Sequence, residues 1–327
     1  MIEALVLGRA GVDLTPAEPG TSLAGASTFV RAVGGFAGNI ATGLARLGIE
    51  TAVVSAVGDD GHGEHVRTAL DAERIDVSGI STRTGTRTQV AFFEAWPPSD
   101  FPVTFYRSNP APETLLGPAD LPARLVDEAR MVIVSGALLA EEPSRSSVLE
   151  ALDRRAAARD RRRVSWTILD LDWRPALWPD PAECPALMAR VAQISEVVVG
   201  SDAEFAAADL RPEDVLGMGD AAADPFGHLV VLKHGPAGVS LLNDQGRRTV
   251  PGIAVEVVCG LGSGDALTAA FGAGILRGLA PLAALERGNA AGAIVATRLM
   301  CSAAMPDARA IDVLLARAAS DVTEASR

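Results

Sequence analysis

Gly262, Ser263, Gly264 and Asp265, within VVCGLGSGDALTAAFGAGIL, set three small residues and a carboxylate directly after an apolar, β-branched run. Leu267, Phe271 and Ile275 then recur at helical spacing, so the turn predicts a helix N-terminus. Unpaired backbone N–H groups and the helix dipole attract an anion at such a place. Asp265 stands at the mouth of that cradle. It can simply cap the helix, or it can accept a proton from a hydroxyl attacking a bound phosphate, which is the chemistry of phosphoryl transfer. Other glycine motifs fit less well: a Walker loop needs a Lys that does not follow this turn, and a dinucleotide fingerprint needs a third glycine where Asp265 stands.

A second cluster lies near the N-terminus. Gly34, Gly35, Phe36, Ala37, Gly38 and Asn39 precede IATGLARLGI, in which Ile40, Leu44 and Leu47 share a helix face and Gly48 suits the C-terminal stop. Asn39 either caps this helix or offers a donor and an acceptor to ligand hydroxyls, with side-chainless backbone letting a polar ligand approach. Asp13, after the run ALVLG in GRAGVD, is either a turn former or a partner to Asn39 in gripping vicinal hydroxyls of a sugar.

Those residues need a scaffold that brings both clusters to one edge. Apolar runs alternate with amphipathic segments (ALVLG, NIATGLARLG, TAVVSAVG, GEHVRTALDAE, then MVIVSGA, SRSSVLEALDRRAAAR, VSWTILDLD, CPALMARVAQIS, EVVVGSDAEFAAA, HLVVLKHG), which is the βαβ signature. It predicts an α/β fold, doubly wound, with a mostly parallel sheet flanked by helices. Residues 14–33 and 86–108 break the alternation with short strand-like pieces and turn residues, and read as an antiparallel excursion. Ligands of open α/β sheets bind outside the carboxyl ends of the strands, so this excursion is expected to form a small, two-part β-rich lid. One domain over residues 1–327 accounts for the whole pattern, with no fixed repeat or low-complexity tract.

The chain has 327 residues, a formal charge of -12 and a pI near 4.9, which argues against a grip on nucleic acid. The run Arg161, Arg162, Arg163 reads as a solvated helix end. Cys184, Cys259 and Cys301 are odd in number and far apart, which suits neither a disulfide framework nor a CxxC metal site, and a reducing cytoplasm fits best. No secretory leader and no membrane span are expected.

Taken together, GGFAGNIATGLARLG and GLGSGDALTAAFGAGI resemble the two signatures of the ribokinase-like (PfkB-type) carbohydrate kinases, and the resemblance covers essentially the whole chain. It implies ATP and Mg2+ as cofactors and a sugar or sugar acid as substrate. It makes Asp265 the general base, and Gly262, Ser263 and Gly264 the anion hole. Asp13, Gly35 and Asn39 match the family's sugar-binding positions. Lys233, Gly235 and Gly238, in VVLKHGPAGVSLL, match the segment beside the nucleotide, although Lys233 alone reads equally as a surface lysine at a strand end. Ser201, Asp202, Ala203, Glu204 match a segment that organises magnesium and phosphate through water, with Ser201 in place of Asn and Glu204 reaching the metal through water.

Three further departures are Ser263 for the usual Ala, Leu267 for Phe, and Cys259–Gly260 for an Asp–Thr pair near a monovalent-cation site. WPPSDFPVTFYRSNPAPE, ILDLDWRPALW, VVVGSDAEF and VEVVCGLGSGD resemble a branch of the family that acts on a keto sugar acid. Arg107 with Tyr106, and Arg174, are then candidates to pair its carboxylate; the alternative for each arginine is surface or lid packing. Family members often pair through their lids, so a homodimer would cover Phe92 and Phe93. A kinase for a neutral sugar, a catalytically weak sugar-binding regulator and a nicotinamide oxidoreductase remain as alternatives.

Overall fold

A computed structural model describes the chain apart from residues 1, 19, 96–101, 159–164, 219–226 and 326–327, and apart from the side chains of 321–325. Arg161 to Arg163 and the WPPSDF part of the resembling stretch lie outside the described residues. In chain order the first elements are β1 (Ala4–Leu7), β2 (Gly11–Pro16), β3 (Phe29–Gly34), α1 (Phe36–Arg46), β4 (Thr51–Gly58), α2 (Gly61–Ala72), β5 (Asp76–Arg83), β6 (Val90–Phe93) and β7 (Val103–Tyr106). Then come α3 (Ala123–Glu128), β8 (Met131–Ser135), α4 (Ser144–Ala157), β9 (Trp166–Asp170), α5 (Cys184–Gln193), β10 (Val197–Ser201), α6 (Asp202–Ala207), α7 (Pro212–Leu216) and β11 (Leu229–Lys233). The last are β12 (Gly238–Asn243), β13 (Gly246–Pro251), α8 (Ser263–Leu276), α9 (Pro281–Ala296), α10 (Cys301–Ala304) and α11 (Ala308–Ala325).

Nine strands form the main sheet in the order β13-β12-β11-β10-β9-β8-β1-β4-β5, parallel except for β12 and β13 at one edge. Helices cover both faces, and neighbours along one strand show it. Ala4 and Val6 belong to the core that contains Ile40, Leu44 and Phe271, whereas Leu5 and Leu7 belong to the core that contains Leu125, Leu152 and Val191. A strand buried on both faces has no polar side to present, which is why these segments read as continuous apolar runs. From β1 the chain winds outward through β4 and β5, then returns to β8 on the other side of β1. That reversal opens a crevice at the carboxyl ends of β1 and β8.

The second sheet runs β3-β2-β6-β7. Its two outer pairings are antiparallel as expected, but β2 and β6 are parallel, so the excursion is two hairpin-like pairs joined side by side. β2 begins at Gly11, ahead of the expected boundary, and Asp13 therefore lies within a strand and not in a turn. Cross-strand partners share a face. The registers Asp13↔Ala32, Asp13↔Ala91 and Ala91↔Phe105 put these residues on one face, leaving Leu14, Phe92 and Tyr106 on the other. Phe93 follows the first set and is fully buried with Ala32, Cys259 and Met300, which corrects the expectation that it is exposed for pairing.

Asn39 does not cap α1 either. The helix starts at Phe36 with Gly35 as its N-cap, which carries Asn39 into the first turn. Its C-terminal stop is Gly48, as expected. Among the described residues no helix is long and apolar enough to cross a membrane, and Cys184, Cys259 and Cys301 are free and buried.

Candidate active site

Charged side chains collect where strands end. Arg9 follows β1, Ser135 closes β8, Asp170 closes β9 with Asp172 just beyond, Ser201 closes β10 and Lys233 closes β11. α8 starts against the same edge, and its first residues complete the group.

Gly262 is the N-cap of α8 and holds φ at 82°, a left-handed conformation that favours glycine. A Cβ there would also lie 2.8 Å from the Cβ of Cys301. The tight turn spends the Ser263 N–H on the Gly260 carbonyl and leaves Gly264 and Asp265, as first-turn residues, without acceptors in a preceding turn. Ser263 Oγ is buried without a partner. Beside Gly264 lies the end of the Lys233 side chain, its Nζ 3.6 Å from where a Cβ would be. Two open N–H groups, an unpaired hydroxyl and an ammonium suit a phosphate, so the residues fit the nucleotide's terminal phosphates.

Asp265, in the same turn, does not cap the helix. Its Oδ2 accepts a 2.7 Å hydrogen bond from Asn39 Nδ2. Burial pushes its carboxyl up to about 7, the Asn39 bond and Arg174 pull it down, and the charges of Asp172 and Asp170 add to the rise. A carboxyl poised near neutrality is suited to take a proton and return it. The Oδ1 of Asn39 is buried without a partner, which leaves an acceptor facing the same space for a ligand hydroxyl.

Asp13 reaches this space from the small sheet. Its carboxylate lies over Gly34, where a Cβ would come within 2.0 Å of Oδ1, so only glycine leaves the room. Burial raises Asp13 to about 6, against the pull of a hydrogen bond from the Cys301 thiol and the charge of Arg9. Burial and then the charges of Asp13 and Asp265 hold the Cys301 thiol well above its ordinary range, so it remains a protonated donor.

The neighbouring cluster is balanced instead. Lys233 Nζ lies 3.1 Å from Asp170 Oδ1 and 3.2 Å from Glu204 Oε2. Arg174 lies 3.4 Å from Glu204 Oε1 and 3.5 Å from Asp172 Oδ1. Asp172 also pairs with Arg9 at 2.9 Å and accepts from Ser135 Oγ at 2.5 Å, and Asp170 accepts from Thr268 Oγ1 at 2.8 Å. Burial would raise Glu204, but Lys233, the Ser201 N–H and Arg174 outweigh it and hold the carboxyl low. Burial would lower Lys233, and Asp170 and Glu204 hold it above its ordinary value.

Both oxygens of Glu204 are thus engaged, which fits a metal held by nucleotide phosphates and reached from Glu204 through water, not a direct ligand. Among the described residues no group of three or more His, Cys, Asp or Glu side chains is set to enclose a metal ion. Ser201 acts on Glu204 directly. Its Oγ accepts from Glu204 N at 3.3 Å and its N–H donates to Glu204 Oε2 at 2.7 Å. This capping box aims Glu204.

The structure brings Asp265, Gly262, Ser263, Gly264, Asn39, Asp13, Lys233, Glu204, Ser201 and Arg174 to one edge, with Gly35 at the start of α1. Gly235 lies in the turn that joins β11 to β12, and Gly238 begins β12. Arg107 and Tyr106 stand apart. Arg107 donates to Glu113, a buried carboxylate, at 2.6 Å. Tyr106 is 62% exposed on the outer face of the small sheet, edge-on to Phe92. Sequence reasoning missed Arg9, Asp170, Asp172, Ser135, Thr268 and Cys301. The alternation in LDLD, which sends Asp170 and Asp172 to one side of an extended chain, is the one available signal.

A family model described as pfkB family carbohydrate kinase matches residues 1–308. The chain belongs to the pfkB family of carbohydrate kinases. Among its relatives, a 5-dehydro-2-deoxygluconokinase of Photobacterium profundum is 35% identical over 319 residues, covering 93% of this chain and 92% of the relative. One of Bacillus subtilis is 30% identical over 317 residues, covering 95% of each. In fold, a putative Ribokinase II from E. coli in complex with ATP and Mg2+ matches with a TM-score of 0.83 at 20% identity, over 97% of this chain and 100% of that one. A Vibrio cholerae fructokinase bound to fructose, ADP and potassium matches at 0.80 and 24% identity, over 96% and 98%.

Proposed function

We propose that this family member transfers the γ-phosphoryl group of ATP to a hydroxyl of a sugar acid, 5-dehydro-2-deoxy-D-gluconate, as a step of inositol catabolism in the cytoplasm. The observation that carries the reading is Asp265: a half-buried carboxyl near pKa 7, held by Asn39 at 2.7 Å, in the first turn of a helix whose N–H groups are open to an anion. The names of the relatives support the choice of acid.

Asp13 and Asn39 orient the sugar, with Asn39 Oδ1 as an available acceptor. Asp265 takes the proton of the attacking hydroxyl as its oxygen bonds to the γ-phosphorus and the bond to the β-phosphate oxygen breaks, leaving ADP. Glu204, through water, would hold a magnesium ion carried with the nucleotide, which would supply charge to screen the phosphates. The open N–H groups of the α8 turn and Lys233 stabilise the charge that moves toward the transferred group. The small sheet, with Asp13 on its inner face, acts as the lid of a single domain spanning the chain.

An ATP-consumption screen over sugar acids, ketohexoses, pentoses and nucleosides tests this. The expected result is turnover with 5-dehydro-2-deoxygluconate well above that with fructose or ribose; preference for a neutral sugar replaces the acid, and no turnover with any acceptor leaves a sugar-binding regulator.

A second copy of the chain is the partner that suits the outer face of the small sheet. Phe29 is 40% exposed there, with Phe92 between it and Tyr106, and the rings meet edge to face. Sedimentation velocity reads the outcome directly, and a monomer at micromolar concentration rejects the pairing.

A further inference from the structure

Arg9 follows β1 at the floor of the crevice and is 5% exposed. Its backbone is fixed, because the carbonyl accepts from Ala37 N at 2.8 Å at the start of α1. Its guanidinium meets Asp172 end-on, Nη1 to Oδ2 at 2.9 Å and Nη2 to Oδ1 at 3.4 Å. Nε has no acceptor. A buried cationic N–H left without a partner is costly and is normally filled, by protein or by ligand. The charge of Arg9 also lowers the carboxyl of Asp13 against its burial.

Asp172 does not fully offset this cation. The same carboxylate is shared with Arg174, which also pairs with Glu204, and Ser135 takes up one of its oxygens. Arg107, by contrast, has its own buried carboxylate in Glu113. Arg9 is therefore the buried arginine of the crevice with a donor to give and a charge only partly met.

We propose that Arg9 is the specificity-determining residue for the acid group of the substrate, its Nε edge receiving a carboxylate oxygen while Asp172 holds the other edge. This rests on the sugar-acid reading above. A buried guanidinium held on one side and unpaired on the other is pre-oriented, so it gains more from an anion than a mobile surface arginine does.

The test measures steady-state phosphorylation of 5-dehydro-2-deoxygluconate and 2-keto-3-deoxygluconate against fructose. It compares the wild type with Arg9→Lys and with the double variant Arg9→Gln/Asp172→Asn, which removes both charges of the pair and leaves no buried carboxylate stranded. The expected result in both is a fall of roughly tenfold or more in the acid-to-fructose ratio of kcat/KM, carried by a raised KM for the acids. Thermal melting of each variant reports folding.

Folded variants that lose acid and neutral turnover in equal proportion overturn the proposal and make Arg9–Asp172 a structural pair, as does an unchanged acid-to-neutral ratio. Wild type that phosphorylates no sugar acid overturns the sugar-acid reading and this inference together. Wild type that prefers acids while the variants keep that preference overturns the inference alone.

Discussion

Two groups of carboxylates share the crevice and are treated in opposite ways. Asp13 and Asp265 stand on the sugar side with no ion pair of their own, and burial raises them to about 6 and about 7. Glu204 and Asp172 lie as deep on the strand-end side, yet both are held below the ordinary carboxylate range, because Lys233, Arg174 and Arg9 outweigh their burial. For these four the supply of cations separates the groups, whereas Asp170 in the strand-end cluster is raised, because its burial and the charges of Glu204 and Asp172 outweigh Lys233. The under-neutralised pair can exchange protons near neutral pH, whereas Glu204, Asp172 and Lys233 keep fixed charges beside the anion turn. A kinase needs both behaviours within one site, one for the proton of the acceptor hydroxyl and one for the phosphate charge.

The most severe way to break the contrast is Asp265→Asn. Removing a positioned base lowers kcat by roughly 10² to 10⁴-fold, measured with saturating sugar acid and ATP. The fold should gain. A carboxyl whose pKa rises from 3.8 to about 7 on folding binds its proton more tightly folded than unfolded, so stability falls as pH rises through that window. Asp265→Asn abolishes that loss, and its unfolding free energy from urea denaturation at pH 8 is expected above that of the wild type, by up to about 4 kcal/mol. A variant that is inactive and less stable at pH 8 contradicts the account of Asp265.

Lys233→Met attacks the other group. Asp170 and Glu204 lose their shared cation, and breaking a buried pair on one side costs about 3 kcal/mol or more. Denaturation should show that loss, together with a raised KM for ATP and little change in KM for the sugar. Adding Glu204→Gln to Lys233→Met should recover part of the stability, since one stranded carboxylate is removed. No recovery would mean that the charges in this cluster are not balancing one another.

A finer test moves the proton side without deleting it. In Asn39→Ala the hydrogen bond that favours ionised Asp265 is gone, so the pKa rises further above 7. Such a bond to a charged group contributes on the order of 1.5–3 kcal/mol, so the ascending limb of the kcat profile should move up by about one to two pH units. Turnover lost at pH 7 should then return in part at pH 9. A limb that stays in place separates Asn39 from the titration of Asp265.

How much of this was legible before the fold was known follows the same division. The turn Gly262-Ser263-Gly264 and the periodic Leu267, Phe271 and Ile275 are local signals, and α8 starts where they predict. The buried strands were equally plain, because a sheet covered on both faces admits only apolar runs. β5, DVSGISTR, was not anticipated: it is a half-buried edge strand with no such run. The start of α1 was misjudged because Gly35 and Gly38 dilute the apolar pattern of its first turn. The cation supply was the least legible part. Arg9 and Asp172 are 163 residues apart, and only the strand order brings the ends of β1 and β9 to either side of β8. Arg107 misled for the converse reason, as its proximity in sequence to Glu113 across a turn gave no sign that the two would pair.

The smallest expected effect sharpens the contrast at the one residue that departs from the family pattern in the neutralised cluster. Ser201 touches Glu204 through a reciprocal pair of hydrogen bonds at the start of α6, and the bond from its backbone N–H survives any side-chain change. Ser201→Ala should therefore cost about 1 kcal/mol, the usual loss for an N-cap hydroxyl, and leave Glu204 charged and paired with Lys233. Ser201→Asn keeps an N-cap acceptor and adds an amide, so its stability should match the wild type within about 0.5 kcal/mol. The rate is the deciding measurement. If Ser201 acts only by aiming Glu204, a magnesium titration of kcat should give the same half-saturation for Ser201→Asn and wild type, with a modest rise for Ser201→Ala. A lower magnesium requirement in Ser201→Asn would instead mean that the amide makes a water-mediated link which the hydroxyl, already spent on the helix cap, does not.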